Sequence, residues 1–302
     1  DRLATKQRLL AAGIPIPWFS PVATVPALQR IAIERGPKLV IEAVESTVPA
    51  VRCIVGAQEM EDAFVWARQH SPAQRVMVEE HLEGPRVFAE SLVIGGRCFT
   101  PIVADRTGYD DGFAGNGYDL PTSLPWGSEA NVKRAIAQAA AALGLSNGAF
   151  GCEIVMRGEE PCVTGVTAGL SGVFATRLIP LCTGVDFLGA AIQATLGDAT
   201  PAGDLEPKKN VPVVLRCAAL GSDPTGPGLA EARKLDGIEQ ISVTPARDQS
   251  VQLAGARQPG AVAMVVATGP SREAASGNAD RALSSLHRRN DERTRTTAGH
   301  AF

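Results

Sequence analysis

The chain has little of what usually announces chemistry. Its four histidines (His70, His81, His287, His300) are scattered, and its six cysteines (Cys53, Cys98, Cys152, Cys162, Cys182, Cys217) stand singly, mostly inside apolar runs. No CxxC, HxxxH or close Cys/His group occurs, so zinc ligation and a disulfide framework are poorly supported. The cysteines read as reduced, buried small hydrophobes. Basic residues give no excess: 29 Lys and Arg stand against 32 Asp and Glu, a net charge of −3 without a basic stripe. That balance argues against nucleic acid as a partner. No apolar run approaches the ~18 residues of a membrane span, and nothing at the start reads as a signal peptide. No membrane contact is expected, and the cytoplasm is the expected address. The phosphate-binding patterns GxxxxGK and GxGxxG are absent. Ser171 lies in GLSG, which is not the nucleophile-bearing GxSxG, and no His or Asp is tied to it.

What is present is ordinary globular sequence, 302 residues of which 45% are hydrophobic and 20% charged, enough for a large core in two or three lobes. Asp1–Ala12 reads as a helix capped by Asp1 and ended at Gly13. GIPIPWFSP is extended, because proline resists helix and biases its predecessor toward β. A helix over Val25–Arg35 follows, then strands at 38–44 and 52–56, a helix over 58–69, and strands at 75–84, 87–96 and 97–105. A Gly-Gly turn joins the last two strands. Residues 106–127, rich in Gly, Asp, Tyr and Pro, read as a mobile loop, with Ser128 capping a helix to about Leu143. Helices are expected at 173–182, 185–196 and 271–287, and strands at 211–219, 238–243, 250–255 and 261–269. The tail from Arg288 is polar and without periodicity. Sheets with helices on one side and frequent hairpins make the fold class α+β with mixed sheets.

The most informative stretch is Gly148–Gly172, read as strands Ala149–Met156 and Pro161–Val166 joined by a turn, then a Gly-rich loop. Glu153 is the acid of the first strand; at the matching place on the second stands Gly165.

Taken together, DRLATKQRLLAAGIPIP, PKLVIEAV with its loop and VRCIV, VMVEEHLEG, the loop ending at Pro121, the strand pair ending in GLSG, and CTGVDFL resemble the ATP-grasp superfamily, most closely its carboxylate–amine ligases. The likeness runs over about residues 1–289. It implies a helical lead-in over 1–36, a small lobe over 37–84, a large lobe over 85–205, a β-rich α/β closing domain over 206–289, and a flexible tail over 290–302. Such ligases usually begin with a Rossmann-like domain, and this chain starts where that domain would end. That domain sits on another polypeptide, was lost, or belongs to a longer chain of which this is a piece; the partners the resemblance allows are a protein carrying that lobe, a homo-oligomer, or a small molecule in the cleft.

The resemblance also implies where chemistry should sit. These ligases make an acylphosphate with ATP and Mg²⁺, which needs cations on the phosphates, carboxylates on the metal and a Gly-rich loop. Arg2 matches the first basic position. The second, a lysine, is Glu42 here, an exchange of attraction for repulsion worth roughly 4 kcal/mol at ~4 Å and an effective dielectric near 20. The loop Glu45-Ser46-Thr47-Val48-Pro49-Ala50 has no glycine, and its proline and β-branched residues resist cradling phosphate. Glu79, Glu80 and Leu82 match the adenine hinge, and Arg86 stands where an acid often holds the ribose. Glu153 matches one metal ligand, but Gly165, Thr167 and Gly169 replace the second carboxylate, the asparagine and the arginine. The expectation is a degenerate ligase: no cofactor, and a binding or regulatory role. The alternative is an active ligase using ATP and Mg²⁺ with Arg2, Arg52, Arg86, Glu42 or Glu45 as substitutes. A third reading makes Glu42 and Glu153 an acid–base pair.

Overall fold

The computed structural model describes residues 1–46, 51–108, 117–197, 205–220, 227–244, 251–253, 256–258 and 262–298. The first helix, α1 (Arg2–Ala11), begins where expected: the Asp1 carboxylate accepts the Ala4 N–H at 2.8 Å. Next come β1 (Phe19–Val22), α2 (Val25–Arg35), β2 (Leu39–Ala43), β3 (Val51–Ile54), α3 (Met60–His70) and β4 (Val76–Glu80). The strands form a four-stranded antiparallel sheet in the order β1-β4-β2-β3. Alternation along β2 and β4 divides this small sheet into two faces. Leu39, Ile41, Val76 and Val78 pack under α2 and α3 with Leu28 and Phe64. Val40, Glu42, Met77 and Glu79 take the other face: Val40 pairs with Glu79 and Glu42 with Met77.

The large sheet is built from β5 (Arg86–Ile94), β6 (Arg97–Phe99), β7 (Ala104–Thr107), β8 (Gly117–Leu120), β9 (Gly148–Arg157), β10 (Glu160–Ala168), β11 (Val213–Ala219), β12 (Ile238–Thr244) and β15 (Val262–Thr268). Its order is β10-β9-β5-β7-β8-β11-β15-β12, with β6 on β5, so strands from the last third of the chain continue the same sheet. The remaining strands, β13 (Val251–Leu253) and β14 (Ala256–Gln258), pair only with each other. Helix α4 (Trp126–Ala142) covers one face through Val132, Ile136 and Ala139, against Val87, Ala89, Phe150, Cys152 and Ile154. A π-helical turn over Phe174–Leu178, α5 (Ile179–Thr183) and α6 (Phe187–Leu196) cover the other, against Phe88, Leu92, Ala104 and Leu120. After α7 (Pro227–Ala232), α8 (Arg272–Ala298) packs Ala275, Ala279, Ala282 and Leu286 on the β11/β15 end.

The fold class is as expected, and several local readings change. The stretch 106–127 holds the end of β7, all of β8 and the start of α4; only 109–116 lies outside the described residues. Those strands are short and rich in Gly and Asp, so they lack the β-branched alternation that flags a strand, and pairing with β11 completes β8. Helix α8 runs on to Ala298, through part of the stretch that reads as a tail without periodicity. At Gly95-Gly96 both φ angles are positive (56° and 81°), as a tight hairpin between β5 and β6 requires.

Candidate functional site

Helix α1 straddles the two sheets. Near its start Leu3 packs with Val44 and Met77 on the open face of the small sheet. The Arg2 N–H donates to the Val44 carbonyl at 3.0 Å, and the Arg2 guanidinium to that of Ala43 at 3.1 Å. Near its end Leu9 joins the α4-side core of the large sheet, together with Ile14. Between them sits Lys6, whose side chain is only 4% exposed. Its ammonium lies 2.8 Å from Glu79 Oε2 on β4 and donates to the Thr164 carbonyl on β10 at 3.0 Å. Thr164 can offer that carbonyl because the β9/β10 register slips between Val163 and Gly165, leaving it as the extra residue of a bulge.

Glu42 and Glu79 share the open face of the small sheet with this ammonium. Arg2 Nε lies 3.4 Å from Glu42 Oε2. Burial pushes the Glu42 carboxyl well above the usual carboxylate range; the neighbouring Glu79 charge and a hydrogen bond to Glu79 add to this, while Lys6 and Arg2 pull the other way. The two buried carboxyls are thus met by one lysine and one arginine, and Glu79 Oε1 is left without a hydrogen-bond partner among the described residues.

The other hinge positions are engaged locally. Glu80 is exposed; its Oε2 accepts the Trp18 N–H at 3.3 Å and its own N–H donates to the Trp18 carbonyl at 2.9 Å. Leu82 is buried against Val155 and Cys162, and its carbonyl accepts from Arg86 at 3.2 Å. The substitutes proposed for an active ligase are also occupied. Arg52 lies opposite Ile41 on the helix-covered face, its guanidinium 4.4 Å from the Trp66 ring centroid. Glu45 pairs with Arg75 and accepts the Ser71 hydroxyl.

On the large sheet Glu153 stands opposite Gly165, as the sequence reading requires. Its side chain is 55% exposed, and Arg106 Nη2 lies 3.9 Å away. A Cβ on Gly165 would meet nothing nearer than Glu153 Oε2 at 3.7 Å, so the place of the second carboxylate is open. Arg106 also stacks on Tyr118 (4.7 Å), which meets Phe174 (5.0 Å) and Phe88 (5.4 Å). Among the described residues no group of three or more His, Cys, Asp or Glu is placed to hold a metal. One exposed carboxylate beside a guanidinium is not the set of hard oxygen ligands that Mg²⁺ takes, and on the small sheet Lys6 and Arg2 are already engaged by Glu79 and Glu42. Glu42 and Glu153, the acid–base pair of the third reading, lie on different sheets, on β2 and β9.

Sequence reasoning passed over Lys6 and Glu90. Lys6 carried a signal: it falls on the buried stripe of α1, three residues from both Leu3 and Leu9. Glu90 interrupts the apolar strand VFAESLVI; it is completely buried and accepts the Ser171 N–H. Burial raises its pKa, against the opposing hydrogen bonds from Ser171. A cavity of about 380 Å³ between α4 and the β9/β10 turn is lined by Pro15, Asn131, Arg134, Gln138, Glu160 and Pro161, none of them expected site residues.

A small antiparallel sheet facing a larger one, with the opening helix between, is the ATP-grasp fold, and known structures bear this out. An L-amino acid ligase from Bacillus licheniformis superposes with a TM-score of 0.75 at 18% identity, over 95% of this chain and 71% of that one. The carboxyaminoimidazole ribonucleotide synthase of Aspergillus clavatus, complexed with ATP, gives 0.74 at 14% identity, over 94% and 72%. A Campylobacter jejuni biotin carboxylase bound to an ATP analogue gives 0.69 at 17%, over 95% and 66%. By sequence, an uncharacterised Sinorhizobium fredii protein, y4rH, is 25% identical over 95% of this chain, which spans 60% of that protein's length. No protein-family model matches.

Proposed function

We propose that this chain is an ATP-grasp scaffold of carboxylate–amine ligase ancestry that does not ligate, and that it serves as a binding or regulatory subunit. The observation that carries the proposal is Glu42, buried on the open face of the small sheet and bound into an ion network with Glu79, Lys6 and Arg2. Lys6 and Arg2, the cations of this face, are already held by Glu79 and Glu42, so an anionic phosphate placed there would compete with those carboxyls for them. Gly165 opposite Glu153 supports the same reading, because a second hard oxygen ligand is lacking there. No observation favours the active ligase: Arg52, Arg86 and Glu45 hold other partners. The partner is a second polypeptide, a further copy of the chain, or a small molecule in the cleft. A cytoplasmic address belongs to this reading and is checked by cell fractionation.

The test is a thermal melt with millimolar Mg-ATP. A ligand at 100 times its Kd adds roughly 2.7 kcal/mol of stability. The expected result is an unchanged melting temperature. A clear upward shift, with ADP released in the presence of amino acids, overturns the proposal. Copurification of a second polypeptide, or a dimer by light scattering, selects among the partners.

A further inference from the structure

We infer that α1 is a latch built into the fold: Lys6 ties the small sheet to the large one and holds the cleft closed without a ligand. Two-lobed proteins ordinarily close on a bound molecule, whose contacts to both sides offset the cost of closure. Here one side chain makes both contacts. The Lys6 ammonium is 2.8 Å from Glu79 on β4 and 3.0 Å from the Thr164 carbonyl on β10. The bulge that turns this carbonyl toward Lys6 is part of the device, since in regular pairing that group would belong to the β9/β10 ladder. The helix bearing Lys6 is anchored at both ends, through Leu3, Val44 and Met77 on one sheet and through Leu9 on the other. The ammonium therefore cannot leave by a small rotation of the helix. A buried lysine with a carboxylate on one side and a carbonyl on the other is costly to separate, because opening would leave Glu79 without its cation. The inference goes beyond the proposed function: it concerns how the sheets are held together, and it stands or falls whether or not the cleft takes ATP.

Hydrogen exchange on the full chain tests it, comparing wild type, Lys6→Met, Glu79→Gln, and the charge exchange K6E/E79K. The expected result is exchange at least about tenfold faster in Lys6→Met, confined to β4, β10 and α1, with β11, β15 and α8 unchanged. Glu79→Gln, which keeps size and one neutral acceptor, should show a smaller rise in the same places and answers the question if Lys6→Met fails to fold. The charge exchange should recover part of the protection. Wild-type protection in Lys6→Met, or in Glu79→Gln if only that variant folds, overturns the latch; so does an equal rise across every element, which is global destabilisation. The Mg-ATP melt of the wild type reads the proposed function separately, so either idea fails alone.

Discussion

The two walls of the cleft depart from the ligase pattern in opposite ways. On the small sheet an acid stands where the resemblance expects a lysine, and the surroundings close around it: Glu42, Glu79, Lys6 and Arg2 form an ion network in which Glu79 Oε1 lacks a hydrogen-bond partner among the described residues. On the large sheet a glycine stands where the resemblance expects a second carboxylate: Glu153 is half-exposed opposite Gly165, with open space above it. Burial explains the difference. A carboxyl in the interior must be neutralised or paired, whereas an exposed one is solvated and tolerates the loss of its neighbours. The small-sheet wall is thus committed to its new arrangement, and the large-sheet wall is only emptied.

Breaking the committed wall should have the largest effect. Lys6→Met removes the cation from buried Glu79 and should lower the free energy of opening the small sheet from the large one by about 3–5 kcal/mol, read by hydrogen exchange in β4, β10 and α1, against the near-neutral change of an exposed lysine. A cost under ~1 kcal/mol would show that the network is not desolvated as described.

The next effect is a pH dependence on the same wall. A carboxyl whose folded pKa lies above its unfolded value stabilises the fold below the unfolded value, near 4.5 for Glu42, and that contribution is lost as pH rises through the folded pKa. Glu90, raised by burial, works in the same direction. Melting temperature should therefore fall from pH 5 toward pH 8 more steeply in wild type than in Glu42→Gln, which cannot ionise. Parallel curves for the two proteins would show that the buried Glu42 carboxyl does not set this dependence.

The emptied wall should respond least. Gly165→Glu restores a carboxylate opposite Glu153 where the backbone leaves room. Without metal the like charges should cost up to ~1 kcal/mol. Added Mg²⁺ or Mn²⁺ should recover stability in the variant and leave the wild type unchanged. Equal responses in both would mean that the hairpin no longer defines a metal position. A substitution at Arg52 gives the control: Arg52→Ala lies across the small sheet from Glu42, loses its stacking on Trp66, and should leave the pH profile as it is in wild type.

Much of this was legible in the chain. The strands at KLVIEAV and VMVEE, the cap at Asp1, the Gly-Gly turn and the placing of Gly165 opposite Glu153 were read from the chain, and the structure carries each of them. Strand β8 was not legible, because its four residues become a strand only by pairing with β7 and β11. Nor was the continuity of β11, β15 and β12 with the large sheet: strand order is a long-range property with no signature in a strand's own residues.

The sequence by itself determined that position 42 carries an acid and position 165 no side chain, and hence that the ligase pattern is broken at both. Only the tertiary structure decided what those changes became. Lys6 is 73 residues from Glu79 and 158 from Thr164, and it meets both because α1 lies across two sheets. Whether a carboxyl is buried beside another carboxyl or left in water is set by that packing, and the surrounding dielectric then decides which loss is sealed and which stays open.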